Sequence, residues 1–439
     1  MHMLPRVRQL EAAFGEALVA IGVHAGKYHR ERSTEAIAEA CRREGIRHPV
    51  VNDRQFRFWR ANSVAAWPTI TVVDPEGYVV AQQAGELPYE PLHEFLQGLI
   101  EEHEEKGTLD RSPWTLEKEP EPVDMGTLRY PGKIAADIEG RIAVSDTGHH
   151  RVLFGHALGN SFEVRAVIGS GEAGFADGSF DEARFREPQG LALAGDMLIV
   201  ADCGNHAIRM VDLQAGSVAT MAGTGRLGTG SIVSGDPLGT DLRSPWDVLL
   251  HDYGLFIAMA GSHQIWRLDL REGTLAPHSG SGREDIADGP APDAALAQPM
   301  ALATDDERLF FADAETSSVR MTSFEPGGEV TTLVGTGLFD FGDRDGVGEE
   351  VRLQHAGGLA WGPGNHRLWI ADTYNGKLKT LDPDTRRVET VEPFEEELSE
   401  PMGLAAAGHY MLIADTGRHR ILRVDQIDKR VVELKVDAA

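Results

Sequence analysis

The stretch EPQGLALAGDMLIVADCGNHAIRMV, residues 187–211, decides the fold of this chain. A proline opens a first strand, a second apolar strand ends in Ala-Asp, and an Asn-His turn leads into a third strand. A fourth strand, SVATMAG, follows a few residues later. Four short strands with turn residues between them are typical of one blade of a β-propeller.

The pattern recurs five more times along the chain. The residues that end the second strand are Asp146, Asp202, Met259, Asp313, Asp372 and Asp415, separated by 56, 57, 54, 59 and 43 residues. The turn that follows carries a histidine in four copies: His150, His206, His263 and His419. Because one blade cannot bury both faces of its sheet, the six units must stack radially. We therefore predict an all-β six-bladed propeller over residues 131–439.

The last repeat supplies its own fourth strand, RVVELKV, at Arg430–Val436. Each blade should then be built from consecutive residues, with no strand donated from the N-terminal side of the propeller.

These residues resemble NHL repeats, which have a Pro-x-Gly opening, an apolar-Ala-Asp strand and an Asn-His turn. The resemblance covers residues 131–436 and implies the propeller fold. Met259, His355, Ser318 and Gly376 break the pattern in individual copies. The six blades are therefore not expected to have identical roles.

Residues 1–103 predict an α/β domain. An apolar strand, ALVAIGVH (Ala17–His24), precedes a helix from Ser33, the predicted N-cap, to Gly45, and a hairpin at Trp67–Gly85 precedes the helix YEPLHEFLQGLIEEH. This order resembles the C-terminal two-thirds of a thioredoxin fold. The resemblance implies that Pro68 is a cis-proline and that Trp67, Pro68 and Thr69 are the remnant of a redox site.

The resemblance also implies a cysteine pair that this sequence does not contain. Thioredoxin-like proteins place Cys-x-x-Cys before a helix, and MHMLPRVRQLEAAFGE looks like the continuation of that helix. A Cys-x-x-Cys or Cys-x-x-Sec segment would lie upstream of Met1, and we expect no redox activity without it. The strand before that pair would be missing as well, which should leave a slot between Ala17–His24 and Thr69–Val73, with Pro68 facing it.

Together the two parts resemble the family of NHL-repeat-containing protein 2, which has a thioredoxin-like domain followed by an NHL propeller. Residues 104–130, with Pro113, Pro120 and Pro122, would form a semi-rigid linker.

Several residues could carry chemistry, and each has a structural alternative. The aspartates could gather calcium, but an Asp before a Gly-containing turn more often accepts backbone N–H groups of that turn. The histidines could hold zinc, as in a metal-dependent lyase or hydrolase, or could be hydrogen-bonded turn residues. Cys41 and Cys203 are interpreted as small buried side chains.

The central channel is predicted to hold neither a metal nor a cofactor. Counting from the opening proline of each blade, its upper lining includes Gln189, Trp246, Met300 and Met402, which are poor metal ligands. Three long loops with a G-x-G start lack the strand and helix context of dinucleotide binding. They are interpreted as connections between blades, where binding surfaces tend to form.

Charge and composition limit the classes of molecule that this protein is expected to bind. The formal charge of −27 disfavours nonspecific binding to nucleic acid or to anionic membranes. No apolar run of membrane-spanning length and no secretory signal is present, so a cytoplasmic location is expected. We predict a binding scaffold whose propeller face holds an unidentified protein or peptide. The alternatives are a thiol-disulfide oxidoreductase in the complete form, and a metal-dependent propeller enzyme.

Overall fold

The computed structural model describes residues 3–113, 126–229, 235–362, 364, 366–391 and 398–437. The chain divides into two compact units, Met1–Val123 and Asp124–Ala439. Residues 114–125 of the predicted linker lie outside the described residues. Leu128, at its C-terminal end, is buried in the propeller core between the first and last blades.

The N-terminal unit alternates helices with short strands. Its elements are α1 (Met3–Phe14), β1 (Gly22–His24), α2 (Thr34–Arg43), β2 (Val50–Asn52), α3 (Arg57–Ala61), β3 (Thr69–Val73), β4 (Val79–Ala84) and α4 (Tyr89–Lys106). The predicted cap of α2 is confirmed, because Ser33 Oγ accepts the N–H of Ala36 at 3.2 Å. Leu10 of α1 packs against Leu92 and Leu96 of α4, and Ile70 of β3 contacts the same cluster.

The strands of this unit form two separate pairs. β1 lies parallel to β2, and β3 lies antiparallel to β4. Among the described residues β1 and β3 share no backbone pairing, as the sequence predicts. Instead, the Trp67 indole Nε1 donates to the Ala25 carbonyl at 2.8 Å, which links the end of β1 to the start of β3. The Trp67–Pro68 peptide bond is cis.

The C-terminal unit contains six blades, each with four consecutive antiparallel strands, which confirms the predicted propeller. A short additional strand extends the sheet of three blades, and the sheets of the first and last blades join into one. Blade 1 comprises β5 (Pro131–Ala136), β6 (Arg141–Asp146), β7 (Arg151–Leu158) and β8 (Ser161–Ile168). Blade 2 follows β9 (Gly178–Ser179) and comprises β10 (Pro188–Ala194), β11 (Met197–Asp202), β12 (Ala207–Asp212) and β13 (Ser217–Ala222). Blade 3 comprises β14 (Pro245–His251), β15 (Gly254–Met259), β16 (Gln264–Asp269) and β17 (Thr274–Ser279).

The remaining three blades repeat the same order. Blade 4 follows β18 (Gly289–Pro290) and comprises β19 (Pro299–Thr304), β20 (Leu309–Asp313), β21 (Ser318–Thr322) and β22 (Glu329–Val334). Blade 5 follows β23 (Gly346–Val347) and comprises β24 (Gly358–Gly362), β25 (Arg367–Asp372), β26 (Lys377–Asp382) and β27 (Arg387–Thr390). Blade 6 comprises β28 (Pro401–Ala407), β29 (Tyr410–Asp415), β30 (Arg420–Asp425) and β31 (Val431–Asp437).

The blades close into a ring around their first strands. Each first strand neighbours those of the preceding and following blades, and β28 neighbours β5. Blade 6 uses four consecutive strands of its own, which confirms the prediction for RVVELKV. β31 also runs beside β8 of blade 1, in parallel, over Lys435–Asp437. Six apolar clusters fill the spaces between successive blades, so the core is a ring of layers.

Glycine in the opening strands permits this close approach of the blades. A Cβ atom on Gly190 of blade 2 would lie 2.4 Å from the Cα atom of Asp247 in blade 3. A Cβ atom on Gly403 of blade 6 would lie 2.5 Å from the Gly132 carbonyl oxygen in blade 1. The Pro-x-Gly opening of the repeat is therefore a packing requirement.

Antiparallel connectivity gives the propeller two distinct faces. The loops between blades and the turns between second and third strands lie on one face, which we call the loop face. The hairpins between first and second and between third and fourth strands lie on the other, which we call the turn face. Within the described part of the chain, no helix has the length and apolar character needed to cross a bilayer.

Candidate functional site

The recurring aspartates lie at the loop face and are fully buried. In each, one carboxylate oxygen accepts a backbone N–H at 2.6–2.8 Å from the segment that opens its own blade. The donor lies two residues before the first strand in four of these blades and four residues before it in blade 5. The pairs are Asp146 with Arg129, Asp202 with Arg186, Asp313 with Ala297, Asp372 with Gln354, and Asp415 with Ser399. The sequence predicts these donors in the turn that follows each aspartate, whereas they lie in the segment that opens the blade.

The second carboxylate oxygen binds a side chain of the same blade. Asp202 Oδ2 accepts Arg209 Nη1 at 2.8 Å, and Asp313 Oδ2 accepts Arg320 Nη1 at 3.0 Å. Burial raises the pKa of both aspartates to about 6, although the arginines and the backbone N–H groups oppose the shift. Burial raises the pKa of Asp372 further, to about 7, and Asn375 is its nearest side-chain donor, at 2.8 Å.

A second set of aspartates anchors the long loops to the same cations. Arg209 also binds Asp177 at 2.6 Å, and Arg320 also binds Asp288 at 2.9 Å. In blade 5, Lys379 Nζ binds Asp345 at 2.7 Å. Each of these loop aspartates precedes the glycine of β9, β18 or β23, so a buried cation fixes the loop on the blade. These cations were not predicted from the sequence, although each loop shows its Asp-Gly there.

The four histidines connect successive blades. Each occupies the left-handed backbone region, with φ of 51–55°. Its Nδ1 accepts, at 3.0–3.2 Å, the N–H of the residue immediately before the first strand of the next blade. The pairs are His150 with Glu187, His206 with Ser244, His263 with Gln298, and His419 with Tyr130. Among the described residues, no group of metal-ligating side chains includes any of the four.

The two other blades vary this connection. In blade 4, where Ser318 departs from the repeat pattern, the histidine position is occupied by its neighbour Ser317, with φ of 49°. Ser317 Oγ accepts the N–H of His355 at 3.1 Å. In blade 5 the position is Gly376, which has no side chain to accept.

Threonine hydroxyls add a further bond between some blades. Thr373 donates to the Pro401 carbonyl at 2.8 Å, and Thr416 donates to the Pro131 carbonyl at 2.7 Å. Thr147 makes the same bond to the next opening proline. Cys203 takes this position in blade 2 and is buried. The residue after the aspartate therefore contributes to the seam between blades.

We expect His419→Ala to destabilise the propeller by about 1–3 kcal/mol, because the Tyr130 N–H would lose its acceptor at the junction of the last and first blades. Urea denaturation of the full chain measures the change. His409→Ala, on an exposed hairpin of the same blade, is the matched control and should change stability by less than about 0.5 kcal/mol. Equal effects of the two substitutions would contradict the assignment.

The raised pKa of Asp372 predicts a specific pH dependence. Its folded pKa lies above the unfolded value of 3.8, so between pH 4 and 7 the folded state binds the extra proton. The free energy of unfolding of the natural chain, relative to Asp372→Asn, should fall as pH rises through this window, by on the order of 3 kcal/mol. Asp384→Asn, on an exposed turn of the same blade, should give a flat difference. If the free energy of unfolding of the natural chain, relative to Asp372→Asn, rose with pH instead, the raised pKa of Asp372 would be wrong.

A buried ion pair crosses the central channel. Lys133 of blade 1 donates to the carbonyl oxygens of Met300, at 2.9 Å, and Gly357, at 2.6 Å, and its Nζ lies 3.5 Å from Asp247 Oδ2. The same Asp247 oxygen accepts the Leu302 N–H at 2.9 Å. Burial lowers the pKa of Lys133 and raises that of Asp247. One ammonium group therefore links blade 1 to blades 3, 4 and 5.

The predicted channel-lining residues occupy the second position of four first strands, as expected from the repeat. Met300 is buried in a small cluster with Trp246 and Met402. Gln189 is 9% exposed, and its Oε1 has no hydrogen-bond partner in the described structure. That the channel holds no tightly bound metal stays a prediction.

Toward the turn face, the channel contains a cavity of about 360 Å³. Lys133 and Asp247 are among its lining residues, and most of the other lining residues have apolar side chains. Each blade contributes part of its first strand, including Ile134, Leu191, Val248, Leu302, Leu359 and Leu404. The cavity offers apolar contact and one buried, neutralised ion pair.

We expect Lys133→Met to destabilise the propeller by about 3–5 kcal/mol, because it leaves Asp247 buried without its cation. The double variant K133M/D247N should recover part of that loss, since no unpaired charge then remains. Lys435→Met, an exposed lysine of β31, is the control. Urea denaturation of the three variants and the natural chain decides the point, and a double variant less stable than K133M would count against it.

The residues predicted as a redox-site remnant lie together in the N-terminal unit. Trp67 is 46% exposed and lies 4.5 Å, centroid to centroid, from Trp59. Thr69 Oγ1 donates to the Ala66 carbonyl at 2.7 Å as β3 begins. Cys41 is half-buried on α2, and burial raises the pKa of its thiol, which makes it a weak nucleophile.

Comparison with known proteins identifies relatives over nearly the whole chain. NHL repeat-containing protein 2 of Bos taurus is 34% identical over 479 residues, covering 98% of this chain and 65% of that protein. The Homo sapiens protein of the same name is 33% identical, covering 99% and 66%. Protein SUPPRESSOR OF QUENCHING 1, chloroplastic, of Arabidopsis thaliana is 38% identical over 456 residues, covering 97% and 43%. The chain thus spans less than two-thirds of the length of these relatives.

Solved structures show more distant similarity. A putative gluconolactonase is 13% identical, with a TM-score of 0.45 over 70% of this chain and 91% of that one. A virginiamycin B lyase from Staphylococcus aureus is 11% identical, with a TM-score of 0.44 over 70% and 84%. Scores this low carry no argument about function. No protein-family model matches the chain.

Proposed function

The chain belongs to the NHL-repeat family, and from this premise we propose that its propeller is a binding platform for a protein or peptide, coupled to a thioredoxin-like N-terminal unit. One observation carries the proposal. The recurring aspartates and histidines are the loop-face side chains best suited to bind a metal or to catalyse a reaction. They are already engaged in bonds that hold the blades together. This favours a binding role over a metal-dependent lyase or hydrolase.

The loop face has features that suit a polypeptide partner. Exposed apolar side chains lie on three loops between blades, with Phe175 42%, Leu238 56% and Phe339 73% exposed. Aromatic residues are enriched in the centres of protein interfaces. Loops outside the rigid blades can carry such contacts without disturbing the ring. The loop face therefore combines a fixed scaffold with apolar contact points.

Charge indicates the partner's chemistry. Loops 169–187, 280–298 and 335–355 together hold fourteen acidic residues and five arginines. Acidic residues remain in excess even when Arg209, Arg320 and Lys379 of the blades, which bind aspartates of these loops, are counted with the arginines. Complementary charge steers association and disfavours wrong partners. We propose a basic polypeptide segment with apolar residues as the ligand, and not a nucleic acid.

The N-terminal unit contributes no thiol chemistry in this proposal. The sequence has two cysteines, Cys41 and Cys203, one in each unit. Burial raises the pKa of Cys41, and Cys203 is buried beneath the loop face. The thiol-disulfide oxidoreductase alternative requires a cysteine or selenocysteine pair beyond these two residues. A cytoplasmic location likewise stays a prediction.

Site-specific photo-crosslinking tests the proposal. A benzophenone amino acid replaces Phe339 on the loop face in the full chain, expressed in its own cells. The matched control carries the same group at Ile427, a turn-face residue that is 80% exposed. We expect a discrete polypeptide adduct at position 339 that raised salt weakens, because the partner is held partly by charge.

Mass spectrometry of the adduct should identify a basic partner segment. An adduct of equal yield at position 427, or none at 339, would overturn the proposal. Near-stoichiometric zinc or calcium in the propeller after dialysis against a chelator would favour the metal-dependent enzyme instead.

A further inference from the structure

We propose that Asp74, Glu76 and His103 of the N-terminal unit form a binding site for a divalent transition-metal ion of the zinc class. One potential ligand atom from each residue lies within 4.8 Å of the other two. Asp74 and Glu76 lie in the turn between β3 and β4, and His103 lies in the last turn of α4. The site is independent of the propeller and of the function proposed above.

His103 supplies the observation that distinguishes this cluster from an ordinary acidic surface. Its side chain is buried, with the residue 2% exposed. Nδ1 lies 2.7 Å from Thr108 Oγ1, and Nε2 has no hydrogen-bond partner among the described residues. Thr108 Oγ1 can donate to the His103 carbonyl, at 3.5 Å, and thereby accept Nδ1–H. The Nε2 lone pair is then directed away from Thr108 and available to a cation.

Hydrogen bonds at the second ring nitrogen are a recurring feature of metal-binding histidines. Such a bond fixes the tautomer and the ring orientation and raises the basicity of the ligating nitrogen. The end of α4 fixes Thr108 itself, because Gly107 takes the left-handed conformation and the Thr108 N–H donates to the His103 carbonyl at 3.0 Å. Thr108 therefore acts as a positioning residue for His103.

The hairpin turn holds the first carboxylate in place. Asp74 Oδ1 accepts the N–H groups of Glu76 and Tyr78, both at 2.9 Å. These two bonds to Oδ1 fix the direction of Asp74 Oδ2, which makes no hydrogen bond within the described part of the turn. Glu76 is exposed and can close on an ion without disturbing the core. Lys106, on the same helix, is already paired with Glu102.

The donor set decides the class of ion. One imidazole nitrogen and two carboxylate oxygens suit zinc and similar first-row ions, whereas magnesium and calcium prefer oxygen ligands alone. Three protein ligands leave at least one position for water. A bound ion would join the hairpin turn to the end of α4, two elements separated by the whole length of that helix in sequence.

Calorimetric titration of the full chain with zinc chloride, after dialysis against a chelator, tests the site. We expect one zinc equivalent to be lost, or weakened at least about tenfold, in Glu76→Gln, an exposed change that should not affect folding. Thr108→Val should weaken the same equivalent by roughly tenfold. Glu105→Gln, an exposed acid on the same helix, is the matched control and should bind as the natural chain does.

Cobalt titration gives a second readout, because its visible absorption reports the coordinating atoms directly. The absorption that is present in the natural chain should be missing in Glu76→Gln and retained in Glu105→Gln. Unchanged zinc binding in Glu76→Gln, or magnesium binding as tight as zinc, would overturn the proposal. Neither outcome bears on the polypeptide platform at the loop face.

Discussion

The propeller depends on how two consecutive backbone N–H groups are satisfied at the start of each blade. In five blades the first N–H, in the segment before the opening strand, is accepted by the buried aspartate of the same blade. In four blades the N–H of the next residue is accepted by the histidine of the preceding blade. The proline that follows has no N–H to satisfy. One bond shapes the blade and the other joins it to its neighbour.

This arrangement explains why three separated residues recur together. An unsatisfied buried N–H costs about 1–3 kcal/mol, which favours keeping both acceptors at a seam. The histidine must take a left-handed conformation to reach the next blade, which is uncommon outside glycine and asparagine-like residues. Where Met259 or Gly376 replaces an acceptor, the flanking seams still carry the pattern. Buried cations such as Arg209 then extend the aspartate's role to the outer loops.

Much of this architecture could be predicted because the repeat is local. Proline, aspartate and histidine recur at fixed spacing within one blade, so the sequence alone predicts six blades and a self-contained last blade. The channel pair could not be found in this way. Lys133 and Asp247 belong to different blades, and only ring closure brings the ammonium group to two carbonyl oxygens of two further blades.

The N-terminal unit shows the same limit at a smaller scale. The cap at Ser33 is a contact between near neighbours and was predictable. The short strand β2 and helix α3 carried too few residues to show a period. Asp74 and His103 lie on different elements, and no spacing rule connects a hairpin turn to the far end of the following helix. Tertiary packing, not pattern, brings them together.

The self-contained last blade has a consequence for the history and engineering of such rings. Many closed rings rely on one strand borrowed from the opposite end of the chain, which ties the position of the termini to the closure. Here the junction of blade 6 with blade 1 uses the same side-chain-to-backbone bonds as the other junctions, together with a short parallel contact. The blade at which the chain begins therefore does not determine how the blades are arranged around the axis. A circularly permuted gene that begins at another blade would encode the same ring, and duplication or exchange of whole blades need not disturb a strand shared between the ends.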